Sequence, residues 1–115
     1  MNRHRSKQAA VKRHQERLSA LEGDMRAGQY FTALESTKRI LGDKTIPPDM
    51  RLAVTLQEVR ALLGSGQPQQ AAVRACAAVN TMNQYGLWNH AGAVEAVLIL
   101  VECARGVRDV GNVGY

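Results

Sequence analysis

A spacing that occurs twice constrains this chain more than anything else in it. Gly28 precedes Ala33 by five positions and Ile40 by twelve, and Gly66 precedes Ala71 by five and Ala78 by twelve. The two later positions lie seven residues apart, about two helical turns, so each pair shares one helix face. Glycine tolerates the left-handed backbone that ends a preceding helix. The pattern therefore predicts helix, turn, helix, and then the same unit again: stacked helical hairpins, the kind of scaffold that presents a surface to a partner.

Apolar periodicity fills in the rest and predicts an all-α chain of five helices. The first covers 6–26, with Val11, Leu18, Leu21 and Met25 on one arc and Arg5, Lys12, Arg13 and Arg17 on the other side. The second covers 30–41 and packs through Tyr30, Ala33, Leu34, Thr37, Ile40 and Leu41. A linker over 44–48 leads to Pro48, suited to the first turn of a third helix over 48–63. That helix is expected to bury Leu52, Leu56, Val59 and Leu63 and to turn Arg51, Glu58 and Arg60 outward. A fourth helix starts at Pro68, buries a small-residue stripe of Ala71, Ala72, Ala75, Ala78, Val79 and Met82, and ends over 83–86. No run alternates apolar and polar residues between hairpin turns, so no strand is expected.

The fifth helix, 87–104, differs from the others. Val97, Leu98, Ile99, Leu100 and Val101 put apolar side chains on every face, which one neighbouring helix cannot cover. Two readings compete: a homodimer formed through 88–104, or a helix folded back into the monomer core between the first and fourth. The apolar run, broken by Glu95 and ended by Glu102, is too short to cross a bilayer, which takes about twenty residues. With 1–6 and 106–115 expected to be flexible ends, 7–105 forms a single helical domain.

Charge is concentrated at one end. Residues 1–18 hold six Lys or Arg against Glu16 alone, a surplus of five that equals the net charge of +5 carried by all 115 residues. The rest of the chain is balanced. No secretory signal or membrane-lytic pattern follows the basic start, so the protein is expected in the cytoplasm, where Cys76 and Cys103 are read as reduced, buried small hydrophobes.

The hairpin pattern resembles the tetratricopeptide repeat, a helix-turn-helix unit in which small and aromatic residues at set positions interlock two helices. Gly28, Tyr30, Ala33 and Ile40 match its inter-helix glycine, aromatic, small and apolar positions, and Gly66, Ala71 and Ala78 match them again, with Pro68 in place of the aromatic. The likeness covers 10–83, and the fifth helix is then the first half of a third unit. Two features depart from the family: the glycines lie 38 residues apart, where the repeat runs to about 34, and the large aromatic and Leu-Gly pair of the first helix are absent. The resemblance implies peptide or protein binding in a groove.

Catalytic chemistry is not visible. His4, His14 and His90 have no nucleophile or carboxylate at a motif spacing, Cys76, Cys103 and His90 lack the paired spacing of a metal site, and Gly64-Ser65-Gly66 lacks the lysine of a phosphate loop. No catalytic residue, metal or cofactor is therefore expected, and no membrane partner. The expected function is a non-enzymatic regulator or adaptor that occupies a partner protein's interaction surface, as a chaperone or an anti-activator of a transcription factor would. Its expected contact residues are Trp88, Val94, Leu98 and Val101 on the fifth helix, with Tyr30 and Phe31 as a second group. The alternative is a small nucleic-acid-binding protein acting through Arg3, Arg5, Lys7, Lys12, Arg13 and Arg17, whose cations suit a phosphate backbone although no aromatics are interleaved for stacking.

Overall fold

The structure, a computed structural model, describes residues 2–113, with side chains from Gln8 to Cys103 and at Arg105. It is all-α: α1 (Asn2–Arg26), α2 (Tyr30–Leu41), α3 (Pro48–Gly64), α4 (Pro68–Tyr85) and α5 (Ala93–Val113). Among the described residues there is no strand. Each helix packs on the next along the chain, and α1 also reaches α3. The order in sequence is the order in space, as short connections between antiparallel helices dictate.

The repeated spacing is the skeleton of this arrangement. Gly28 and Gly66 hold φ at 74° and 79°, left-handed conformations that end α1 and α3. After each, the glutamine amide turns back five residues, Gln29 to the Asp24 carbonyl at 2.9 Å and Gln67 to the Leu62 carbonyl at 2.8 Å, the closing bond of a Schellman cap. The same glutamines then accept the first bond of the next helix, from the Ala33 amide at 2.9 Å and the Ala71 amide at 3.0 Å. Ala33, Ile40, Ala71 and Ala78 are all buried. The glycine sets the direction of the chain, and the residues five and twelve later pack the returning helix.

The core is built around α3. Leu52, Val54, Thr55, Leu56, Gln57, Glu58, Val59, Ala61 and Leu62 are all buried, so nearly every side of this helix has a neighbour. Val54 and Ala61 pack with Leu21, Ala33, Ile40 and Ile46; Leu52 and Leu56 pack with Ala78, Met82, Ala93 and Ala96; Val59 and Leu62 pack with Ala71, Ala75 and Ile99. The expectation that Glu58 faces outward and Leu63 inward is corrected: Glu58 is buried and paired with Arg74 of α4, while Leu63 is 41% exposed. The physical reason is position in the array. A helix with α2 on one side and α4 on the other buries its polar flank as well, whereas Leu63 lies on the side of the last turn that neither covers.

Helix α5 also departs from expectation. It begins at Ala93, six residues later than the periodicity implied, because Gly86 ends α4 with φ 65° and 87–92 form a bent loop. In that loop the Gly92 amide donates to His90 Nδ1 at 2.9 Å, and Leu87 packs against the Leu52–Leu56 cluster. One face of α5, with Ala93, Ala96 and Ile99, packs on α3 and α4, and the bidentate pair of Arg60 with Glu95 fastens its first turn to α3. It lies at the end of the array, not between α1 and α4. Helix α1 starts at Asn2 and α5 runs to Val113, so the expected flexible ends, 1–6 and 106–115, fall largely on helical backbone whose side chains lie outside the described residues.

Candidate functional site

Two surfaces hold the residues singled out by the sequence. The first is the outer side of α5. Val94, Leu98 and Val101 recur at intervals of four and three, so they form one stripe along the helix, and their exposures of 68%, 56% and 48% show that it is left uncovered among the described residues. Val97, not among the expected contact residues, completes the stripe at 40%. Its signal was present: it sits three residues after Val94 on the same face.

The other expected contact residues lie elsewhere. Trp88 belongs to the α4–α5 loop and not to α5, and its indole Nε1 donates to Asn83 Oδ1 at 3.2 Å while the side chain stays half exposed. Tyr30 opens α2, packs against the Leu21–Ile40 cluster and lies over Gly64 at the end of α3. Phe31 turns outward at 71% exposure, as expected once its neighbour takes the packed position. Val94, Leu98 and Val101 are thus brought together by one helix, whereas Tyr30 and Phe31 sit in the first turn of another.

The second surface lies along α1 and α2. Lys12 and Arg13 are exposed; the side chains of Arg3, Arg5 and Lys7 lie outside the described residues. Arg17 Nη1 donates to Asp43 Oδ2 at 3.0 Å, tying α1 to the loop after α2. Asp43 also accepts the Thr45 amide at 2.9 Å and the Thr45 hydroxyl at 2.6 Å. Those Thr45 bonds first, and then Arg17, hold its carboxyl well below the usual carboxylate range. Beside the pair, Arg17, Ala20, Ser36, Arg39 and Ile40 line an open recess of about 220 Å³ between the two helices.

His14 stands between Arg13 and Arg17 in the basic segment of α1, yet it is 4% exposed, and neither ring nitrogen has a hydrogen-bond partner among the described residues. It precedes Leu18, Leu21 and Met25 by four, seven and eleven residues, which is the spacing of their own packed stripe. Val11, assigned to that stripe, is 53% exposed.

Cys76 is exposed, contrary to expectation, because Ala75 and Ala78 take the packed positions of α4. Burial, with Glu102 and Cys76 nearby, pushes the Cys103 thiol above its ordinary value, which favours the unreactive protonated form. Among the described residues no three His, Cys, Asp or Glu side chains converge as metal ligands would, and no helix is long and apolar enough to cross a membrane. Comparison of the chain with protein-family models, with curated proteins and with solved structures finds no match, so the likeness to tetratricopeptide repeats rests on its residues and on the packing of its five helices.

Proposed function

We propose that this protein is a non-enzymatic binding module that docks on another protein and masks one of its interaction surfaces, in the manner of a chaperone or an anti-activator. The observation that carries this reading is the uncovered stripe of Val94, Val97, Leu98 and Val101 on the last helix of the array. Four aliphatic side chains at helical spacing on an end helix form the type of face that takes up a partner helix or closes a stack. Burying each of them on a partner is worth on the order of 1 kcal/mol. The two hairpins with their glycine turns act, in this reading, as a short scaffold of tetratricopeptide type that holds α5 rigid for a cytoplasmic partner.

A second copy of the chain is the simplest partner, and self-association through α5 is part of the proposal. A Leu98→Glu/Val101→Glu double variant places two carboxylates in the stripe without touching the buried face. Light scattering should show a dimer for the native chain and a monomer for the variant, with helical circular dichroism equal in both. If the native chain is a monomer, the self-association part is wrong, and pull-downs with native and variant protein then decide whether any partner needs the stripe. Retention of every partner by the variant would remove α5 from the binding surface.

A further inference from the structure

The recess between α1 and α2 has a chemical character that protein docking through α5 does not use. Its floor is Ala20 and Ile40, and its polar rim is two guanidiniums and a hydroxyl, from Arg17, Arg39 and Ser36. Arg39 is exposed and has no ion-pair partner among the described residues. Arg17 gives one N–H to Asp43, and a guanidinium carries five, so the pair aims the group while leaving donors open. The charge of Asp43 is already met by three donated bonds, two of them from Thr45.

Arg13 extends the site. It lies four residues before Arg17 and seven before Ala20, hence on the same side of α1, where it is exposed and without an ion-pair partner among the described residues. The cations therefore form a row that leaves the recess along α1 rather than a closed pocket around one small ion. Arg13 and Arg17 lie within residues 1–18, the segment whose surplus of five cations equals the chain's net charge of +5. Planar forks of N–H donors match phosphate oxygens two at a time, and a row of them follows a chain of phosphates. No aromatic side chain lines the recess, so bases have nothing to stack on.

We propose that Arg13, Arg17, Ser36 and Arg39 form a phosphate-binding site for the backbone of double-stranded nucleic acid, spanning α1 and α2. Contact is to phosphates alone and so is independent of sequence. This differs from a basic N-terminal arm acting by itself, because two of the four groups come from α2.

The test is fluorescence anisotropy of the full-length protein with a labelled 20-base-pair DNA duplex across a salt series. Arg13→Ala/Arg39→Ala removes two cations that hold no structural bond. Lys38→Ala, one residue from Arg39 but turned away from the recess, is the control for plain loss of charge, and circular dichroism checks that every variant is folded. The native chain should bind, the double variant should bind about tenfold more weakly at low salt with its salt slope reduced by about two, and Lys38→Ala should lose less than about twofold against about threefold for Arg39→Ala alone. Absence of binding by the native chain at 50 mM salt would overturn the proposal. So would a double variant that binds like the native chain, or a loss in Lys38→Ala as large as in Arg39→Ala alone. Equal binding of poly-glutamate and duplex would reassign the row to acidic protein.

Discussion

Single residues decide how tightly the hairpins close. Gly64 is the clearest case: a Cβ there would stand 2.6 Å from Tyr30 Cζ, inside the ring that covers it. In an open helix, glycine to alanine gains about 1 kcal/mol. Here the ring blocks that gain, so Gly64→Ala should lower stability by about 1 to 2 kcal/mol in urea unfolding. In a Tyr30→Ala background the same change should turn neutral or stabilising, and equal effects in both backgrounds would show that the two residues are not coupled. His14 offers the opposite test. A buried ring with both nitrogens unpaired gives up hydrogen bonds to water without replacement. His14→Leu, which keeps the volume and removes the polar atoms, should raise stability by about 1 kcal/mol, and a loss in the same unfolding assay would mean that the ring has a partner in solution.

At the scale of elements, the contacts that tie one helix to another are polar as well as apolar. Arg74 with Glu58 joins α4 to α3, Arg60 with Glu95 joins α3 to α5, and Arg17 with Asp43 joins α1 to the loop after α2. The last carries a pH dependence. Because the folded protein holds the Asp43 carboxyl below its ordinary value of 3.8, the unfolded chain takes up the proton more readily, and acid favours unfolding. The contribution of Asp43 is complete above that value and shrinks as pH falls through it. Denaturation of native and Asp43→Ala protein should therefore show a stability gap at pH 6 that narrows by pH 3. A gap that stays constant would assign the effect to packing of the loop.

The whole molecule is long rather than round. The described chain measures 67 × 31 × 20 Å with a radius of gyration of 15.9 Å, where about 13 Å is usual for a compact domain of this length. An array in which each helix touches mainly its sequence neighbours has that shape by construction. Small-angle scattering of the Leu98→Glu/Val101→Glu variant should give a value near 16 Å for the monomer. A value near 13 Å would mean that the ends of the array close on one another in solution.

Local chemistry determined much of this protein without help. The turns at Gly28 and Gly66, the burial of Ala33, Ile40, Ala71 and Ala78, and the bounds of α2 follow from backbone freedom at glycine and from helical period, both of which act within a few residues. The row of basic residues on α1 is legible for the same reason, since it needs only a helix to exist. Tertiary structure alone decided which apolar helix is central. The sequence reading left α5, whose residues are the most apolar, open between a dimer face and a place in the core; α3 is the enclosed helix because α2 and α4 flank it, and α5 keeps an open face because no described helix packs on its outer side. The same holds for His14 and Glu58, polar residues buried by neighbours that lie far along the chain, and for Ser36 and Arg39, which meet Arg17 only once α2 has folded back along α1. Periodicity reports which side of a helix is apolar; what covers that side depends on how many neighbours the order of packing supplies.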